Sequence, residues 1–249
     1  MSFRVEKIFP PYIMRETLYY GGDFLYLSNY IKENLDLENT IAKDLFNNIN
    51  YPWEVLPKIS EFIISLGETL KEENFYKIGE NIWVAKSAKV APSAVLNGPL
   101  IIDENAEVRH CAFIRGSAII GKNSVVGNST ELKNSILFNS VQIPHYNYVG
   151  DSILGYKSHL GAGSITSNVK SDKTLIKVKT VDKKIETGLK KFGAILGDSV
   201  EVGCNSVLNP GSVVGKNTSI YPLSSVRGFV KGDSIYKEGK TFEKKSNIN

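Results

Sequence analysis

Sixteen aliphatic residues recur every six positions in two unbroken runs, from Ile78 through Val84, Val90, Leu96, Ile102, Val108, Ile114, Ile120 and Val126 to Leu132, and again from Leu196 to Val226. A helix cannot keep such a set on one side, because 3.6 residues per turn rotate it around the cylinder. Short flat strands joined by turns can. Four positions after most of these aliphatics stands a small residue, as in Ala106, Ala112, Ala118, Ser124, Thr130, Ser206 and Thr218. Each hexad therefore reads as one short strand and a turn. Three hexads make a coil of eighteen residues whose aliphatics face inward and stack on the next coil.

The period divides the chain. Residues 1–77 lack it and are rich in aromatics, including Tyr12, Tyr19, Tyr20, Phe24, Tyr26 and Tyr30. Helical spacing predicts amphipathic helices over Asp36–Ile49 and Glu54–Leu70, with Pro57 near the start of the second. This segment is too small to bury a large core alone and is expected to pack on the repeats or on a partner, its aromatics serving as packing. Residues 78–235 form the repeat and 236–249 a C-terminal tail. The count slips by one after Leu132, giving Leu137, Ile143 and Val149, and slips again at Leu154 and Leu160. It disappears over about 168–195, an extruded loop with Lys170, Lys173, Lys177, Lys179, Lys183, Lys184, Lys190 and Lys191 against three acids. A long loop expelled from a strict repeat is usually functional.

The net charge of +4 on 249 residues argues against a nucleic-acid binder, so an anion site must be local. Two cysteines, Cys111 and Cys204, are too few for a disulfide framework. With no signal-like apolar core in MSFRVEKIFPPY and no membrane-spanning stretch, a cytoplasmic location is expected.

Candidate chemistry gathers where the period slips. Arg115 and Lys133 each follow an inward aliphatic and lie eighteen apart, so the coil stacks two cations on one face. They either hold an anion between them or stand solvated. His145, in IPHYNYVGDS, has the side chain suited to general-base work near neutrality, against the alternative of a structural or exposed histidine. His110 reads as exposed or structural. With His145 and His159 it does not form the ligand spacing of the β-helical carbonic anhydrases, so no metal is expected. Gly161-Ala162-Gly163 could present backbone amides to a developing oxyanion, although glycine is common after inward aliphatics throughout the repeat.

The order Arg115, Glu131-Leu132-Lys133, Pro144-His145-Tyr146-Asn147-Tyr148-Val149-Gly150-Asp151, Gly161-Ala162-Gly163 and Asn168 resembles the acetyltransferase half of the bifunctional glucosamine-1-phosphate acetyltransferase/N-acetylglucosamine-1-phosphate uridyltransferase family. Thr187–Asp198 and Asn209-Pro210-Gly211 resemble its archaeal-type branch, and Tyr51-Pro52-Trp53-Glu54 resembles the junction between its two halves. The resemblance spans about residues 78–235. It implies a mainly β fold, a left-handed parallel β-helix of hexapeptide repeats with a small α-helical N-terminal segment. It also implies a homotrimer that transfers acetyl directly from acetyl-CoA to an amino-sugar phosphate.

By the same resemblance His145 is the general base, and Arg115 and Lys133 hold the sugar phosphate. Tyr148 and His159 contact the sugar, while Lys173 and Lys177 add positive charge from the loop. Ala162 and Asn168 face the acetyl and pantetheine groups, Cys204 and Pro222 line the coenzyme groove, and Lys237 meets its phosphates. Two departures stand out: His159 occupies the family's asparagine position, and the Gly-rich nucleotide-binding motif is missing, so nucleotidyl transfer is not expected. The rival reading is a β-helix that binds a sugar phosphate or nucleotide sugar without catalysis, or that assembles with a separate nucleotidyltransferase.

Overall fold

A computed structural model describes residues 27–181 and 183–244. Backbone pairing sorts the strands into three faces, each a ladder of parallel rungs. On face one, Ile82–Ala85 pairs with Leu100–Ile102, which pairs with Ala118–Ile120, and the ladder continues through 135–137, 152–154 and Ala194–Leu196 to Ser212–Val214 and Phe229–Val230. Face two runs from Lys89–Val90 to Ser234–Lys237, and face three from Val95–Leu96 to Ser225–Val226. The result is the left-handed parallel β-helix of hexapeptide coils.

The inward aliphatics from Ile102 onward are almost fully buried, and the small residues two positions before each pack beside them. Slips in the sequence count appear as shortened coils. Leu132 pairs with Val149 and Ile136 with Ile119, seventeen residues apart, yet the core stays continuous. Ile78 departs from the expected pattern. It is 57% exposed because Phe75–Gly79 is the outer arm of an antiparallel hairpin with Ile82–Ala85, so the coil begins one hexad later. At the other end Lys240–Glu243 folds back antiparallel on Ser234–Lys237, where a plain tail was expected.

Face one is buried on both sides. Its outward column, Trp83, Ile101, Ile119, Ile136, Ile153, Ile195 and Val213, is as inaccessible as the inward one. The N-terminal segment is the cover. Trp53 stacks on Tyr51 at 4.6 Å and packs on Phe192 at 5.8 Å, Phe46 meets Phe138 edge-on at 5.7 Å, and Tyr30 donates its hydroxyl proton to the Val214 carbonyl. Of the six aromatics named above, only Tyr30 falls within the described residues.

The cover is less helical than its spacing predicts. Over Asp36–Ile49 only the 3-10 turns Leu37–Asn39 and Lys43–Phe46 form. The Asp36 carboxylate accepts from the Glu38 amide and the Thr40 hydroxyl from the Ala42 amide, local bonds that compete with a helix. In the second stretch Pro52–Lys58 is 3-10 and only Ile59–Gly67 is α-helical, because Pro57 supplies no N–H and disfavours the α conformation at Leu56. Among the described residues no helix is long and apolar enough to cross a membrane.

Trp53 joins the cover to the coil, so Trp53→Ala is expected to lower unfolding free energy by about 3–5 kcal/mol, read from the midpoint of a urea titration.

Candidate functional site

At the corner between faces two and three six successive coils turn the same way. The register aligns His110, Asn128, His145, Ala162, Cys204 and Pro222 in one column along the coil axis. The residue after each is left-handed: Cys111, Ser129, Tyr146, Gly163, Asn205 and Leu223 have φ between 51° and 71°. Each turn is tied to its predecessor by one amide, as in Tyr146 to the Asn128 carbonyl and Gly163 to the His145 carbonyl. Four of the residues singled out in the sequence, His145, Ala162, Cys204 and Pro222, therefore stand in one line.

His145 ends the strand Gln142–His145 and is exposed. Its backbone is held from two sides. Pro144 presses on Gly127, where an added Cβ would lie 1.6 Å from the Pro144 carbonyl oxygen, so only glycine allows that approach. The buried Asn147 accepts from the His145 amide and donates to the Gly161 and Ser164 carbonyls. The imidazole itself has no hydrogen-bonding partner among the described residues and is available to a ligand.

The glycines of Gly161-Ala162-Gly163 are structural. The Gly161 amide donates to Val202 and the Gly163 amide to His145. The Ala162 amide, between them, has no partner among the described residues and is the donor this turn can offer.

Face three carries the polar cluster. Arg115 and Lys133 do lie one rung apart, since Arg115 donates its amide to the Leu132 carbonyl. They do not simply repel, because carboxylates are interleaved with them: Arg115 pairs with Glu131 at 2.7 Å and Lys133 with Asp151 at 3.3 Å. Asp151 is the hub. Its side chain is 5% exposed and also accepts from the amides of Asn134, at 2.8 Å, and Asn168. Asn134 in turn reaches the Leu56 carbonyl of the cover. Gly150 leaves the space that the Tyr148 hydroxyl and the Asn168 amide fill, at 2.6 and 2.9 Å from where its Cβ would be. Burial, then the charges of Asp151 and Glu131, push the Tyr148 phenol up, so its hydroxyl stays a donor near neutrality. Asn168, expected near the coenzyme, thus belongs to the Tyr148–Asp151 group.

Other expected residues lie apart from this cluster. His159 is on face two, its Nδ1 2.8 Å from Glu201. Lys237 lies 5.5 Å over the Tyr221 ring, beside Pro222 at the far end of the corner column. The loop leaves after Asn168 and returns where the Phe192 amide donates to the Asn168 carbonyl. Lys177 sits in its hairpin, Lys177–Lys179 against Lys184–Glu186, packed beside Gly211 and paired with Glu186 at 2.5 Å. Lys173 is exposed in a turn at φ 55°. Among the described residues neither pairs with a member of the Arg115 cluster. Among the described residues no three His, Cys, Asp or Glu side chains converge as a metal site.

Asp151 and Glu131 stand within the motifs quoted above, where the sequence pattern alone assigns them no role. A signal was present: an acid one rung from each cation, at positions 131 and 151 flanking Lys133 and Tyr148.

Parallel hexapeptide coils with an extruded basic loop define a hexapeptide-repeat β-helix protein, and its polar face beside a histidine-bearing corner is the candidate site. Comparison with known proteins narrows this. Residues 96–213 match the GMPPB C-terminal domain family. The chain is 35% identical over 190 residues to the bifunctional protein GlmU of Methanococcus maripaludis strain S2, covering 76% of this chain and 46% of that one. It is 28% identical to a bifunctional sugar-1-phosphate nucleotidylyltransferase/acetyltransferase of Sulfurisphaera tokodaii, covering 82% and 54%. The chain spans about half the length of these curated relatives. Among solved structures, the polySia-specific acetyltransferase NeuO superposes with a TM-score of 0.45 at 18% identity, over 65% of this chain and 84% of that one. The sequence likeness is thus to about half of the GlmU-type proteins, and the family match at 96–213 falls within the coils of this chain.

Removing Asp151 strands a partly buried ammonium and two amides, whereas removing Glu131 frees an exposed guanidinium to water. Asp151→Ala is expected to cost about 3 kcal/mol in a denaturant titration, and Glu131→Ala to leave the midpoint unchanged.

Proposed function

We propose that this chain is an acetyl-CoA-dependent N-acetyltransferase acting on an amino-sugar phosphate of the glucosamine 1-phosphate type, with His145 as general base. The observation that carries the reading is the corner column. It sets an unengaged imidazole, His145, one rung from an unengaged amide, Ala162, and continues through Cys204 to Pro222 over about 14 Å, at about 4.8 Å per rung. A thioester laid along that line places its carbonyl at Ala162 and its arm against Cys204 and Pro222, with Lys237 beyond. The polar cluster on the adjoining face suits a phosphorylated sugar. The name of the Sulfurisphaera relative, which couples sugar-1-phosphate chemistry with acetyl transfer, supports the same reading.

In this reaction the acceptor amine attacks the thioester carbonyl. The Ala162 amide donates to the oxyanion, His145 takes the amine proton as the C–N bond forms, and collapse breaks the C–S bond. The proton then passes to the departing thiolate. No acyl-enzyme is needed, and Cys204, in a repeat position, lines the groove. Arg115 and Lys133 already have carboxylate partners, so a sugar phosphate must exchange with Glu131 for the Arg115 guanidinium; that exchange favours a dianion over a neutral sugar.

His145→Ala is expected to lower turnover by roughly 10²–10⁴ in an assay of free CoA thiol, with the fold intact. Unchanged turnover removes the mechanism, and saturable sugar-phosphate binding without thiol release from the unaltered protein supports the non-catalytic reading. Arg115→Ala is expected mainly to raise KM for a phosphorylated acceptor.

The same corner exposes Tyr146 at 65%, Leu223 at 79% and Tyr221 at 43%. Apolar side chains beside the groove support an assembly in which a neighbouring copy forms its second wall, and a homotrimer is expected in light scattering of the eluted protein.

A further inference from the structure

A second basic feature lies away from the polar cluster. A cleft of about 360 Å³ opens between the loop hairpin and the corner joining faces three and one, and Lys170, Lys177, Lys179, Lys184 and Arg227 line it. A space of this size admits a small anionic group. Arg227 lies four rungs beyond Lys133 on the same face, about 19 Å along the axis at about 4.8 Å per rung.

The cleft is built by packing rather than left by a loose loop. Ile176 and Val178 are fully buried and anchor the first strand of the hairpin. Gly211 and Gly228, both at positive φ, admit the loop backbone: a Cβ on Gly228 would lie 2.4 Å from the Lys179 carbonyl oxygen, and one on Gly211 2.8 Å from the Ile176 side chain. With Val178 and Ile185 turned to the core, alternation sends Lys177, Lys179, Lys184 and Glu186 to the other side of the hairpin.

The pairing within that hairpin is informative. Lys177 stands opposite Glu186, a complementary pair in contact at 2.5 Å. One position further along each strand's outer side, Lys179 stands directly opposite Lys184. Like charges directly opposite destabilise a strand pair. Among the described residues Lys179, Lys184 and Arg227 have no carboxylate partner, in contrast to Arg115 and Lys133. Among the described residues, these five cations against Glu186 and Asp172 leave an excess of three positive charges around a concave space. A multiply charged anion is what such a space stabilises best.

We propose that this cleft is a second anion site that takes the diphosphate group of a small molecule, gripped by Lys179 and Lys184 from the hairpin and by Arg227 from the coil. The site does not depend on the acetyl-transfer reading and is separate from the Arg115–Lys133 cluster.

Titration calorimetry of the full chain at low salt, first with inorganic pyrophosphate and then with ADP, tests this. One saturable pyrophosphate site per chain is expected, weakening steeply with added salt. Lys184→Gln combined with Arg227→Gln, and separately Lys179→Glu, is expected to weaken it at least about tenfold, while Arg115→Gln leaves it unchanged. Equal affinity for the two probes assigns the site to a bare diphosphate, and tighter ADP binding assigns it to a nucleotide ester. Absence of saturable binding overturns the proposal. So does unchanged affinity in both cleft variants, or loss of binding in Arg115→Gln.

Discussion

Everything in this structure depends on the vertical register of parallel strands. Each coil satisfies its backbone only by lying flat on the coil before it, so the inward aliphatics must arrive at nearly the same height on every turn. A residue deleted from a turn is absorbed, as the seventeen-residue pairing of Leu132 with Val149 demonstrates. A large insertion cannot be absorbed within a rung. The chain from 169 to 191 therefore leaves at a corner, closes its neck with the Asn168–Phe192 bond, and folds as a hairpin against the outside. The basic cleft is a product of that expulsion.

The same register explains how charge is handled. A repeat that stacks equivalent positions stacks like charges whenever two coils carry the same residue type. On face three the difficulty is resolved with acids from neighbouring rungs and corners, Glu131 and Asp151. Asp151 adds the amides of Asn134 and Asn168 and, through Asn134, ties the polar face to the N-terminal cover. The candidate sugar site and the packing of residues 27–70 are thus mechanically linked, although one lies on face three and the other covers face one.

The repeat was legible because a six-residue period has few physical causes. Its inner column was read correctly from Val84 onward, and only Ile78 was misplaced, since a hairpin arm can mimic one more hexad. The doubly buried face left a signal that the six-residue count passes over, the paired aliphatics Ile101-Ile102, Ile119-Ile120, Ile136-Leu137, Ile153-Leu154 and Ile195-Leu196. A strand covered on both sides loses its alternation. The 3-10 turns around Asp36, Thr40 and Pro57 were not legible, because local side-chain bonds and one proline overruled an apolar spacing. At the site, position along the coil follows from counting, which is why His145, Ala162, Cys204 and Pro222 fall in line. Which carboxylate meets which cation depends on side-chain reach across a corner, and no count supplies that.

The corner column has one more consequence. His110 and His145 occupy the same turn two rungs apart, each followed by a left-handed residue, Cys111 or Tyr146. The backbone therefore presents an imidazole identically in both places and does not distinguish them. At His110 the ring nitrogen meets Ser93, whereas at His145 the ring is open and the polar face is adjacent. A coil of this kind is a row of interchangeable sockets, in which a reactive side chain could be moved up or down by a pair of substitutions without rebuilding any turn. A histidine can thus stand at different heights along the axis, beside different neighbours, at little structural cost.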